Sequence, residues 1–148
     1  AVAWNIATTK SSLPGAPDEM AFYASAGRWH GEGSKLIRHT IRQDGFRSVG
    51  GTLSGGEIIT RPLTFDGKRL DINFSTSAAG TVKVEIQTVN GQPIEGFTLE
   101  DADEVFGDEL DRSVTWNGKT DVSELAGRPI RLRITLSDAD LYAVKFSA

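Results

Sequence analysis

The residues with the most chemistry to offer lie in the run Glu100-Asp-Ala-Asp-Glu-Val-Phe-Gly-Asp-Glu-Leu-Asp, which places seven carboxylates within twelve positions. Such a run is by default a solvated loop. Asp101, Asp103, Asp108 and Glu109 also have the hard oxygen chemistry of a structural calcium site. Their spacing, however, is not that of the regular calcium loop Asp-x-Asp-x-Asp-Gly with a later Glu. Asp138 and Asp140 bracket one residue and offer two further oxygen ligands. A third use of paired carboxylates is glycoside hydrolysis, which needs them about 5–5.5 Å apart for retention or about 6.5–9.5 Å for inversion. An acidic chain contains many candidate pairs, so composition alone does not single one out.

The second group is aromatic. A sugar ring presents an apolar C–H face and a rim of hydroxyls, so its sites pair an aromatic plane with polar side chains. Trp29 lies in the glycine-rich stretch Gly27-Arg-Trp-His-Gly-Glu-Gly-Ser with Arg28 and His30 beside it, where a stacking residue would be exposed. The alternative is a tryptophan folded back over the end of a sheet. Trp4 serves as a second platform or anchors the N-terminal segment. Trp116 alternates in phase with Val114, which favours the core; at a rim, Asn117 and Lys119 would supply its hydrogen bonds. Phe22 and Tyr23 are adjacent, so in a strand they point to opposite faces and one is exposed.

Other chemistries are thinly represented. There is no cysteine, which removes disulfides, thiol nucleophiles and zinc–thiolate sites. His30 and His39 lack the spacing of a metal pair, and neither a Gly-x-Ser-x-Gly elbow nor a phosphate loop occurs. The net charge is −4 and the pI about 5.2, which argues against nucleic acid and against an anionic membrane surface. No apolar run approaches the roughly 20 residues of a membrane-spanning helix. Arg38, Arg42, Arg131 and Arg133 form basic stripes. These either pair with the abundant carboxylates or meet an acidic polysaccharide through their guanidinium forks.

The elements that must position these residues are strands. Lys35 to Gln43 alternates, with Ile37, His39 and Ile41 on one side and Arg38, Thr40 and Arg42 on the other, joined there by Leu36 as the one aliphatic exception. This predicts a buried His39. Asp44-Gly is a turn signal. Leu70, Ile72 and Phe74, then Val82, Val84 and Ile86, read as two core-facing strands separated by Ser77-Ala-Ala-Gly, with Lys83, Glu85 and Gln87 facing water. Ile130 to Leu136 and Leu141 to Phe146 read the same way around Asp138-Ala-Asp. Each of these two stretches therefore predicts a strand, a tight turn and a second strand. Pro62 marks an edge or a bulge, Asn90-Gly closes a hairpin, and Phe97 to Leu99 reads as a short strand. Asp121-Val-Ser-Glu-Leu-Ala-Gly predicts one helical turn begun by Asp121 and ended by Gly127. The pattern predicts an all-β antiparallel sandwich of jelly-roll type over 44–148. Residues 1–43 are extra strands or the tail of a preceding domain.

From Lys35 onward the chain resembles a β-sandwich accessory domain at the C-terminus of bacterial secreted glycoside-hydrolase-like proteins, where it follows a β-propeller. The resemblance is carried by Arg42-Gln-Asp-Gly-Phe-Arg-Ser, Thr60-Arg-Pro, Ser75-Thr-Ser-Ala-Ala-Gly, Val84-Glu-Ile-Gln, Pro93-Ile-Glu-Gly-Phe, Gly107-Asp-Glu, Asp121-Val-Ser-Glu-Leu-Ala-Gly-Arg-Pro-Ile-Arg-Leu-Arg and Asp138-Ala-Asp-Leu-Tyr. It covers roughly two thirds of the chain. It implies an extracellular, carbohydrate-binding-module-like protein with no catalytic residues of its own, whose partners are a polysaccharide and the catalytic domain of a larger protein. The expected ligand-binding residues are Trp29, Arg28, His30, Trp116, Asn117 and Tyr23, with structural calcium at the acidic run as the one cofactor considered. A sandwich that only packs on a catalytic domain, and a small glycosidase, are the two competing readings. The chain opens at Ala1 rather than a methionine, so a leader or neighbouring domains are part of this expectation.

Overall fold

A computed structural model describes residues 5–27 and 33–148. Among the described residues the regular secondary structure is almost entirely β and all strand pairings are antiparallel. It divides into two compact units, Ala1–Arg47 and Ser48–Ala148.

The first unit is a three-stranded sheet in the order β1 (Ala7–Thr9), β2 (Glu19–Ala26), β3 (Lys35–Arg42). Its register pairs Met20 with Ile41, Phe22 with His39 and Ala24 with Ile37, so these six side chains share one face. The other face carries Glu19, Tyr23, Arg38 and Arg42. The alternation expected of Lys35–Arg42 is present, but burial is not. Ile37 keeps 41% of its surface, Leu36 72% and His39 is exposed. His39 instead stacks flat on Phe22, with ring centroids 5.3 Å apart and an interplanar angle of 15°. Alternation fixes which face a residue occupies; a second layer is needed to bury it, and none covers this face among the described residues of the unit.

The second unit is built on two long strands, β6 (Arg69–Thr88) and β8 (Ile130–Ser147). The sheet order is β4 (Val49–Gly51), β8, β6, β7 (Asp108–Ser113), with β5 (Gly56–Ile59) also on β8. Here the structure corrects the sequence reading. Ser77-Ala-Ala-Gly and Asp138-Ala-Asp do not reverse the chain. Both strands run straight through, paired from Arg69↔Ser147 to Thr88↔Ile130. Between Thr76↔Ala139 and Thr81↔Ser137 the ladder shifts register, and the extra residues of β6 form a bulge there. Asp138 takes a left-handed φ of 43° opposite it, and a Cβ on Gly80 would come within 2.3 Å of the Asp138 carbonyl. Turn-forming residues thus serve the bend of a continuous strand pair.

The bulge leaves the inward parity of β6 intact, whereas on β8 the buried set passes from Leu136 to Ala139 and Leu141. Leu70, Ile72 and Phe74 join Val82, Val84 and Ile86 in one core with Leu132, Ile134 and Leu136. Pro62 does what its missing N–H requires: β5 ends at Ile59, Thr60 still donates its N–H to the Leu132 carbonyl at 2.9 Å, and backbone bonding to β8 is taken up again by Leu63 with Ile130. Glu85 and Gln87, expected in water, are buried at 3% and 5% exposure. The segment after the Asn90-Gly turn folds over them, and Leu99 donates its N–H to Glu85 Oε2 at 3.0 Å. That segment is a chain of turns, and Phe97 to Leu99 is not a strand. The Asp121–Gly127 stretch forms the single turn expected, as a 3-10 helix over Ser123–Leu125. Ser123 donates its N–H to Asp121 Oδ1 at 2.8 Å, and Gly127 leaves the turn at φ 73°.

Candidate functional site

Trp116 is a core residue. Its exposure is 1%, its indole Nε1–H donates to the Val84 carbonyl at 2.8 Å, and it meets Phe97 edge-on at 76° with ring centroids 5.2 Å apart. It offers no open face for a sugar to stack on, and its placement as a ligand platform is corrected accordingly. The in-phase alternation with Val114, itself fully buried, was the decisive signal. Asn117 sits beyond it in a tight turn at φ 51°. Its Nδ2–H₂ donates to Asp101 Oδ1 at 3.0 Å, and its backbone N–H to the Asp101 carbonyl at 2.8 Å. Asn117 thereby ties two turns together.

The acidic run is divided in the same way. Asp101 accepts from the Thr98 hydroxyl at 2.8 Å and the Thr98 N–H at 3.3 Å, and these bonds hold its carboxyl below the usual range. Asp103 accepts from the Thr115 hydroxyl at 2.5 Å and the Gly118 N–H at 2.8 Å, with the same effect. Asp108 and Glu109 lie instead on β7, opposite Ser75 and Phe74 of β6. The four do not assemble into one ligand set, and among the described residues no three acidic or histidine side chains converge as a metal site requires. Carboxylates satisfied by N–H and O–H donors have little left for a cation. We expect millimolar calcium, the range in which extracellular modules bind it, and EDTA alike to leave the melting temperature unchanged. A rise of several degrees with calcium would overturn this assignment.

Tyr23 lies on β2 in the first unit, 43% exposed and opposite Arg38, whose guanidinium donates to Thr9 Oγ1 at 2.7 Å and Glu19 Oε1 at 3.3 Å. Arg28, Trp29 and His30, the first choice for a stacking platform, lie outside the described residues, as does Trp4.

The turns around Trp116 nevertheless enclose a cleft of about 350 Å³ in the second unit, lined by Glu95, Gly96, Phe97, Trp116, Lys119, Asp121, Ser123 and Glu124. Phe97 and Trp116 are its buried lining, and the charged residues are its exposed rim. Three loops supply that rim: the Pro93–Phe97 turn, the Trp116–Lys119 turn and the 3-10 turn. Glu95, Lys119 and Glu124 are exposed and have no side-chain partner among the described residues. Asp121 is held in place by Ser123, whose hydroxyl and N–H lower its pKa. Of this lining, the sequence pointed only to Trp116 and Lys119. Glu95, Asp121 and Glu124 sit in turn motifs whose convergence no local pattern encodes.

No protein-family model matches the chain, and neither the curated proteins nor the solved structures contain a match to it.

Proposed function

We propose that the protein is a non-catalytic carbohydrate-binding module of a secreted glycan-degrading protein, and that the second unit holds its glycan in the cleft over Phe97 and Trp116. The observation that carries the reading is the convergence of three unpartnered charged side chains, Glu95, Lys119 and Glu124, on a cavity with a buried aromatic lining. Pockets for small polar ligands combine these features: a concave apolar base and a few polar groups left free to fix orientation. The resemblance of the region from Lys35 onward to accessory sandwiches of glycan-degrading proteins points the same way. The absence of catalysis belongs to the same proposal. Among the described residues, hydrogen bonds hold the carboxyls of Asp71, Asp101, Asp103 and Asp121 below the usual range, which suits fixed acceptors rather than a proton-donating acid. Binding would hold a partner enzyme at its polymer and raise its effective concentration there.

The test is affinity electrophoresis of the chain against a panel of neutral, amino and acidic glycans, with reducing-end release assayed in the same samples. The expected result is retention without release. The variant carrying Glu95→Ala, Lys119→Ala and Glu124→Ala is expected to lose retention with an unchanged melting temperature. A hydrogen bond to a charged group is worth about 1.5–3 kcal/mol, roughly tenfold or more in affinity. Sugar release by the wild type would replace this reading with that of a small glycosidase.

A second reading has its own observation. The Met20–Phe22–Ala24 and Ile37–His39–Ile41 face of the first unit is apolar and only partly covered. Such faces are characteristic of packing surfaces, and this one favours a structural role in which the first unit docks on a companion domain. The two readings concern different units and are separable: Ile37→Asp is expected to reduce binding of an apolar dye and to leave glycan retention unchanged.

A further inference from the structure

The charge of the cleft specifies more than a glycan in general. Its rim sets the carboxylates of Glu95, Asp121 and Glu124 against the single ammonium of Lys119. No arginine lines it. Two guanidinium forks on the sheet of this unit, the kind of group that recognises uronate or sulfate, are bound to carboxylates. Arg133 is bound to Glu57 at 2.6 Å and to Glu85 at 3.5 Å, and Arg112 to Glu109 at 3.3 Å. Because Glu95 and Glu124 have no cation of their own, incoming cationic groups can pair with them without breaking an existing ion pair. An incoming carboxylate or sulfate meets three like charges and one lysine. Lys119 retains a function with a hydroxylated ligand, as donor to ring and hydroxyl oxygens.

We infer that the cleft takes an amino-sugar glycan whose amines are protonated, in preference to neutral glycans and against acidic ones. This inference rests on the reading of the cleft as a glycan site. It assigns the charge of the ligand, which the buried apolar lining of Phe97 and Trp116 does not distinguish.

The experiment compares a glucosamine hexamer, its fully N-acetylated counterpart and a galacturonic-acid oligomer of the same length by titration calorimetry at low and high salt. The deacetylated hexamer is expected to bind about tenfold more tightly than the acetylated one, the gain given by two or three partly exposed ion pairs. Salt screens such pairs, so the preference is expected to shrink at high ionic strength. The Glu95→Gln, Glu124→Gln double variant removes both free charges while keeping the side-chain shape. It is expected to lose the preference and to retain both the fold and the weaker binding of the acetylated hexamer. Equal affinity for the two hexamers, tighter binding of the galacturonic oligomer, or an undiminished preference in the double variant would overturn the charge assignment and leave the glycan site standing. Binding of none of the three, nor of any glycan in the wider panel, would remove the glycan reading itself.

Discussion

Trp116→Ala is expected to destabilise the second unit by about 3–5 kcal/mol, the range for removing a large buried aromatic. The side chain is among the largest of the fully buried residues, and its ring is locked from two directions. Phe97 meets it edge-on, and Val84 takes its indole N–H. Truncation leaves a cavity and also strands the Val84 carbonyl inside the central strand of the sheet. Trp116→Phe separates the two costs. It refills most of the volume but leaves that carbonyl without its partner, a loss of about 1–3 kcal/mol. Urea unfolding followed by far-ultraviolet circular dichroism measures both, free of the change in tryptophan fluorescence. A loss under about 1 kcal/mol for the alanine variant would show that Trp116 is not the core residue described here. Because Trp116 also lines the cleft, loss of glycan retention in this variant says nothing about recognition. Only rim variants that keep their melting temperature bear on binding.

The case of Trp116 shows which parts of this protein are legible in its sequence. Parity along a strand is a property of the backbone, so Leu70 to Phe74, Val82 to Ile86 and Ile130 to Leu136 declare their inward faces without any tertiary information. Trp116 could be placed by the same logic through Val114. What parity cannot supply is the number of layers. His39 and Ile37 occupy the face their spacing assigns, yet remain exposed because the described residues of the first unit form one sheet. Glu85 and Gln87 fail in the opposite sense, since they alternate as solvent residues but are roofed by a segment more than six positions further on. Nor does turn chemistry distinguish a reversal from a bulge. Ser77-Ala-Ala-Gly and Asp138-Ala-Asp have the residues of hairpin turns, but each bends a strand that continues past it. The cleft was the least legible feature. Its rim comes from three separate turns, and the two acids most prominent in the sequence, Asp101 and Asp103, are consumed in fixing those turns.

The same competition between burial and hydrogen bonding governs Asp71, and there it becomes a pH effect. Asp71 lies on β6 at 6% exposure, where burial by itself would raise its pKa. Two hydroxyl donors, Ser113 on β7 and Ser147 on β8, each reach it at 2.6 Å, and the charges of Arg69 and Lys145 add to them. Together they outweigh burial and hold the carboxyl below its ordinary range. One carboxylate thus joins three neighbouring strands at the end of the sheet. A folded-state pKa below the unfolded value, about 3.9 for aspartate, means that folding favours the ionised form. The resulting stability is fully present above the unfolded value and is lost as pH falls through the folded one. Asp71→Ala is therefore expected to cost about 1–3 kcal/mol at pH 7, the penalty for leaving partly buried donors without their acceptor. The difference from wild type is expected to narrow as the pH is lowered past 3.9, because acid removes from the wild type the charge that the variant already lacks. Urea midpoints measured for both proteins between neutral and strongly acidic pH test this directly. A gap that stays constant throughout would mean that Asp71 contributes by packing alone, and that the hydroxyls of Ser113 and Ser147 do not depend on its charge.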